Sequence, residues 1–181
     1  MNAPDANGGF AVWITGLPAS GKSAVAAALA AELRIRGLDV EVLESDALRK
    51  IFTPRPRYND AEREVFYGQV AYLGALLVRH GIVVIFDATA NRRAYRDWAR
   101  QQIPRFLEAY VDTPLEVCMR RDPKGIYRDA DKQQGSLVPG LQAAYEPPLQ
   151  PGIVIHGDQE APEQGARRIV TELIASGTVS A

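Results

Sequence analysis

The chain predicts an α/β fold, a parallel central sheet of about five strands with helices on both faces. Two patterns carry that reading. Short apolar runs rich in β-branched residues alternate with longer segments of helical period. The first of these runs leads through a glycine-rich turn straight into a helix, the joint at which open α/β sheets place ligands. At 181 residues, 46% hydrophobic and 24% charged, the chain suits one compact domain, taken as residues 11–181.

Residues 1–10, MNAPDANGGF, carry neither a basic stretch nor an apolar run and read as a flexible tail. AVWIT (11–15) is a buried strand, and the alanine- and leucine-rich segment from Lys22 to about Arg36 is a helix stopped by Gly37. VEVL (40–43) is the next strand. Asn59-Asp60 opens a helix with Glu62 in its first turn; its apolar face is drawn through Val65, Val70, Leu73 and Leu77, and Gly81 ends it before the strand IVVIF (82–86). A helix over about Arg93 to Gln101, a strand FLEAYV (106–111) and a short helix from Thr113-Pro114 through Met119 follow. From Asp122 to Pro151 periodicity fades among prolines and glycines. A loop of this length in a compact domain is a functional lid or a connector, and Lys124, Arg128, Lys132 and Tyr145 favour a lid at about 122–148. GIVI (152–155) supplies a last strand, and a helix from about Ala161 to Ala175 covers the outer face of the sheet.

Charge and composition exclude several classes of function. Lys+Arg total 21 against 22 Asp+Glu, a net charge of -1, so no broad basic field exists to hold a nucleic acid or an anionic membrane without specificity. The longest apolar runs fall well short of the roughly 20 residues that span a bilayer. One cysteine, Cys118, and two histidines are too few for a thiolate or imidazole metal cluster, which favours the cytoplasm and an oxygen-ligated metal. Cys118, His80 and His156 read as a buried small apolar residue, a helix-end cation and a strand-end surface residue.

The strongest chemical signal is GLPASGKS, Gly16 to Ser23, which matches G-x-x-x-x-G-K-[ST] between a strand and a helix. Glycines at both ends let successive backbone N–H groups face one centre, and the helix adds its positive end, a cradle for a β-phosphate. Gly16, Leu17, Pro18, Ala19, Ser20, Gly21, Lys22, Ser23 and Ala24 are the ATP-binding candidates, with Lys22 on the β- and γ-phosphates and the Ser23 hydroxyl on Mg²⁺. Asp87 closes an apolar strand at the carboxyl edge of the sheet, where it can hold the metal. The strand ending at Leu43 delivers Glu44, Ser45 and Asp46 to the same edge. Asp46 is either a helix N-cap or a carboxylate that takes the acceptor proton and helps place Mg²⁺, and the two roles are compatible. Arg49, one helical turn on, suits an anionic acceptor. Lys22, Asp46 and Asp87 form the catalytic set; Ser23, Asp46 and Asp87 form the metal set. Arg92, Arg93, Arg96, Arg120 and Arg121 lie near the same edge, and Arg121, at the start of the lid, is assigned to ATP.

YVDTPLEVCMRRDPKGIYRDA (110–130) resembles the strand-helix-lid junction of adenylylsulfate (APS) kinases, which typically contains VDTPLEVC followed by RDPKG and an aromatic. The glycine-rich loop, ESDALR in the place of the family's DGDNVR and AYEPP in the place of its PYEAP fall in the right order, so the resemblance covers about residues 11–175. It implies the P-loop NTPase fold of nucleoside-kinase-like type, a three-layer sandwich. It also implies transfer of the ATP γ-phosphate to the ribose 3′-hydroxyl of APS, giving PAPS in sulfate assimilation, with Asp46, Arg49, Arg63, Arg93 and Lys124 as acceptor-binding candidates. Departures cluster on the acceptor side. Glu44 and Ser45 replace the first two residues of DGD, and YNDAEREVFYG (58–68) replaces an asparagine- and arginine-rich helix start. TANRR (89–93) replaces ISPYR, putting Ala90 where the family has serine, and SLVPG (136–140) replaces the lid's FTG.

Two alternatives stay open at the level of sequence: a kinase of the same fold for a hydroxyl of another metabolite, nucleoside or antibiotic, and a nucleotide-binding regulatory module without turnover. Partners are then ATP and a small acceptor, without nucleic acid or membrane. A homodimer through Val65, Phe66, Tyr72 and Leu76 competes with the reading of those side chains as core.

Overall fold

Five parallel strands form the centre of the computed structural model, which describes residues 8–130 and 137–180. They are β1 (Ala11–Thr15), β2 (Val40–Glu44), β3 (Val83–Asp87), β4 (Phe106–Asp112) and β5 (Ile153–His156), in the spatial order β2-β3-β1-β4-β5. β1 is central. It pairs with β3 through Ala11↔Val84 and with β4 through Ala11↔Phe106, so the chain turns to opposite sides of β1 on its way to those two neighbours. The carboxyl end of β1 is therefore a switch point of the sheet, where a crevice opens.

Strand alternation divides the core between the two faces. Val12 and Ile14 point with Phe10 toward α1 (Lys22–Ile35) and α6 (Pro162–Ala175), meeting Val25, Leu29, Leu33, Ile169 and Leu173. Ala11 and Trp13 point the other way, toward α3 (Asp60–Arg79) and α4 (Arg93–Gln102). Trp13 is fully buried, stacks on Phe86 at 4.4 Å and donates its indole N–H to the Ala88 carbonyl at 3.0 Å. α2 (Ser45–Phe52) and α5 (Leu115–Arg121) are short and sit at the carboxyl ends of β2 and β4.

The strands and helices fall where the sequence predicts them, with boundary shifts of one or two residues. The face of α3 does not. Its buried residues are Arg63, Phe66, Tyr67, Val70, Ala71, Gly74 and Ala75, whereas Val65 is 63% exposed and Leu73 and Leu77 are only partly buried. The reason is close packing on both sides of the helix: a Cβ on Gly68 would stand 2.1 Å from the Trp98 ring of α4, and one on Gly74 would stand 2.1 Å from the Phe86 ring of β3, so small residues are needed there. Asn59 caps α3 as expected, its side chain accepting from the Glu62 N–H at 2.9 Å. Asp46 is not a cap: Glu44 holds the N-cap position of α2 and Asp46 lies within its first turn. The expected tail stops short of residue 10, since Phe10 is a core residue at 2% exposure; residues 1–7 lie outside the described residues.

Between α5 and β5 the described residues form turns and one isolated bridge, Pro139 to Ala143. Lys132 lies outside the described residues. Cys118 is buried, His80 ends α3 and His156 is exposed at the end of β5. Among the described residues no helix is long and apolar enough to cross a membrane.

Candidate active site

The turn from β1 to α1 is tight because three residues have positive φ, Gly16 (152°), Ala19 (60°) and Gly21 (108°), the last immediately before the helix. α1 carries no acidic residue in its first turn, so its positive end stays uncompensated for an anion. Other segments brace the turn from outside. Thr113 Oγ1 donates to the Ser20 carbonyl at 2.9 Å, Tyr127 Oη to the Pro18 carbonyl at 3.0 Å, and Arg121 to the carbonyls of Ser20 (3.4 Å) and Gly157 (2.8 Å).

Lys22 is 8% exposed, and its ammonium donates to the Leu17 carbonyl at 2.7 Å. Burial pushes its pKa down to about 8, with the Asp87 charge as the strongest opposing influence. Asp87 is itself buried, at 5% exposure. Across the cleft, the carboxylate of Asp46 pairs with the ammonium of Lys124, and that hydrogen bond raises the Lys124 pKa.

These groups line one cleft of about 660 Å³, within the size range of small-molecule sites. Of the ATP-binding candidates, Pro18, Ala19, Gly21, Lys22, Ser23, Ala24 and Arg121 line it. Gly16, Leu17 and Ser20 do not. Ser20 is fully buried beneath the turn, with its hydroxyl lacking a partner among the described residues, and Leu17 faces a second, shallower cleft. Asp46, Asp87 and Ser23 line the cleft together, as do Arg49, Arg63 and Lys124. Arg93 is not among the lining residues: its backbone N–H is taken by Glu146 at 2.8 Å, and its guanidinium donates to the Pro147 carbonyl at 3.2 Å. Arg92 and Arg96 are likewise engaged elsewhere, Arg92 with Asp60 and Arg96 in a buried pair with Glu108 at 2.6 Å.

The wall of the cleft opposite the glycine-rich turn contains residues that sequence reasoning did not single out. Tyr58, Tyr67, Asn91 and the Leu137–Val138 pair line it. Tyr67 stands four residues after Arg63 on the same face of α3, and that spacing was the available signal. Its hydroxyl accepts from the Ala90 N–H at 3.1 Å. Asn91 bridges two segments, accepting from Arg63 at 3.5 Å and donating to the Ala144 carbonyl at 3.0 Å. Arg63 also donates to the Leu137 carbonyl, and burial lowers its pKa.

The donor set suits a hard cation. Among the described residues no three His, Cys, Asp or Glu side chains cluster to hold a metal by themselves. Ser23, Asp46 and Asp87 instead offer oxygens around a cleft that also offers a phosphate cradle. Proteins in general bind Mg²⁺ through one or two carboxylates, with substrate phosphates completing its shell.

Comparison with known proteins gives a consistent result. The family model described as adenylylsulphate kinase matches residues 8–156. An adenylyl-sulfate kinase of Synechococcus sp. (strain JA-2-3B'a(2-13)) is 39% identical over 156 residues, covering 86% of this chain and 89% of the relative. A probable adenylyl-sulfate kinase of Pyrococcus abyssi is 35% identical over 162 residues, covering 90% and 93%. Among solved structures, the Mycobacterium tuberculosis APS kinase CysC in complex with AMPPNP and APS superposes with a TM-score of 0.85 at 29% identity, covering 92% of this chain and 98% of that one.

Proposed function

The chain belongs to the adenylylsulphate kinase family, and from that premise we propose how its residues divide the work of an ATP-dependent kinase acting on the 3′-hydroxyl of APS. The observation that carries the reading is the meeting, in one cleft, of a phosphate cradle, the buried Lys22, the carboxylates of Asp46 and Asp87 and the buried Arg49 and Arg63.

ATP lays its β- and γ-phosphates against the backbone N–H groups of the 16–24 turn, and Lys22 neutralises their non-bridging oxygens. Binding raises the Lys22 pKa again and secures its ammonium form, because the phosphate charge opposes the burial that depresses it. Ser23, Asp87 and Asp46 are the residues that would hold Mg²⁺. The cation, when bound, supplies neutralisation of the charge that develops on the β- and γ-phosphate oxygens.

Arg49 and Arg63 hold the anionic part of the acceptor, which leaves its hydroxyl toward Asp46. The hydroxyl oxygen forms a bond to the γ-phosphorus, and the bond from that phosphorus to the bridging oxygen of ADP breaks. The hydroxyl proton passes to the Asp46 carboxylate. Lys124, the present partner of Asp46, belongs to the 122–148 segment, which we read as a lid that excludes water once both substrates are in place. Arg121 braces the turn and meets the nucleotide. A homodimer through the exposed Val65 and Tyr72 of α3, and residence in the cytoplasm, complete the reading.

ADP release coupled to a reporter, with Mg-ATP and APS, tests it directly against a panel of nucleosides, sugars and antibiotics. Turnover with APS that is abolished by Lys22→Ala is the expected result. No signal with APS, or full activity in the Lys22→Ala variant, overturns it.

A further inference from the structure

Arg49 is a buried cation with little anionic company. It lines the cleft at 8% exposure, and the nearest carboxylate oxygen recorded for it, on Glu62, stands 3.4 Å from Nη1. That carboxylate is already committed to the backbone, accepting from the N–H groups of Arg57 at 2.6 Å and Tyr58 at 3.2 Å. Aromatic rings surround the guanidinium instead: its Cζ lies 3.8 Å from the centroid of Phe66, the nearest, with Tyr58 at 5.0 Å and Tyr67 at 6.0 Å. Phe66 is 1% exposed and does not line the cleft. Its own ring is fixed edge-on by Phe52 at 6.4 Å and by Tyr67 at 5.2 Å.

We propose that Phe66 is the positioning residue for the acceptor anion, acting through Arg49. A guanidinium donates hydrogen bonds only in its plane, and its faces have none to give. A ring against one face therefore holds the plane without consuming a donor, and it stabilises the cation through the ring quadrupole without neutralising it. A carboxylate in the same place would occupy the in-plane donors that an anionic acceptor needs. Phe66 lies in the 58–68 stretch, which departs from the asparagine- and arginine-rich pattern of the family. The inference rests on the acceptor role given to Arg49 above.

The test uses the full chain and the variants Phe66→Leu, Phe66→Tyr and Arg49→Lys, with Phe66→Met in place of Phe66→Leu if the latter does not fold. Phe66→Leu is expected to raise the KM for APS about 10-fold, the effect of losing a desolvated cation–π contact, while the KM for ATP stays unchanged. Phe66→Tyr, which keeps the ring, restores it. In the Arg49→Lys background Phe66→Leu adds little, because the stacking partner is already gone. An unchanged KM for APS, a parallel rise in the KM for ATP, or full additivity in the double variant overturns the proposal.

A readout free of turnover separates this inference from the assignment of APS. In ¹⁵N-resolved spectra of the arginine side chains, the Nε–H signal of Arg49 is expected to carry a ring-current displacement in wild type and Phe66→Tyr and to lose it in Phe66→Leu. If wild type turns over no APS, the proposed acceptor falls, and titration of inorganic sulfate into the Mg-ADP complex, followed at that signal, decides the role of Phe66. Weaker sulfate binding in Phe66→Leu supports it; equal binding overturns it.

Discussion

Replacing Lys22 with methionine should make the nucleotide-free protein more stable near neutral pH and should remove a specific pH dependence. Lys22 is buried against the turn it belongs to, and burial carries its pKa from 10.5 to about 8. Each unit of such a shift corresponds to about 1.4 kcal/mol, so the folded state bears a cost of about 3 kcal/mol for keeping the ammonium charged. A depressed lysine pKa means that between pH 8 and 10.5 the unfolded chain binds a proton the folded chain has lost, so wild-type stability rises with pH across that window. Below pH 8 the cost is present in full; by pH 10 most of it is relieved. Methionine has similar length and no charge, and it forfeits the hydrogen bond to the Leu17 carbonyl, worth about 1 to 3 kcal/mol. That loss offsets part of the gain at every pH but leaves the slope untouched. Urea unfolding of both proteins at pH 7 and pH 10, without nucleotide, reads the difference. The stability gap should move in favour of wild type by about 2 to 3 kcal/mol between the two values. Parallel behaviour of the two proteins would refute the burial argument, since the slope comes from the lysine alone.

Two further outcomes follow from the same geometry. Arg96→Leu should cost about 2 to 3 kcal/mol in urea unfolding: Glu108 keeps its pair with Arg100 but loses its buried partner, and the carbonyls of Ala90 and Glu146 lose the Arg96 donor, so the loop after β3 should lose protection in hydrogen exchange. Lys124→Ala should change stability by less than about 1 kcal/mol, because both it and Asp46 are more than half exposed. The same variant should lower turnover while leaving the KM for ATP unchanged; a stability loss as large as that of Arg96→Leu would place the pair in the scaffold rather than in the chemistry.

The sheet, its helices and the nucleotide half of the cleft were legible because each is written locally. AVWIT, VEVL and IVVIF are short apolar runs that cannot be helices of useful length, and Gly16 to Ser23 is one uninterrupted stretch whose backbone makes the cradle. The α3 face departs from the apolar pattern because hydrophobicity patterns favour large residues, whereas the close approach of Trp98 to Gly68 and of Phe86 to Gly74 requires small residues there. The acceptor wall was only partly legible. Tyr58, Tyr67, Asn91 and Leu137 have nothing unusual about them as residues, and their meeting depends on α3, the 88–92 loop and the 137–147 segment converging. Arg93 shows the same limit from the other side. Its position beside the strand edge suggested the cleft, but the Glu146 and Pro147 backbone and side chain claimed it first.

The division between one contiguous stretch that receives the phosphates and several separate segments that face the acceptor has a consequence for how such a protein changes over generations. Leu137 is exposed and Tyr58 partly exposed, both outside the sheet strands and helices that form the core, so most substitutions at Leu137 stay within the few tenths of a kcal/mol typical of sites away from packing, whereas the buried, doubly hydrogen-bonded Asn91 is costlier to change. Selection can therefore try new acceptors one residue at a time while the donor half is inherited intact. The stability margin that permits this is narrow in places such as Arg96, and those are the positions where drift should stop.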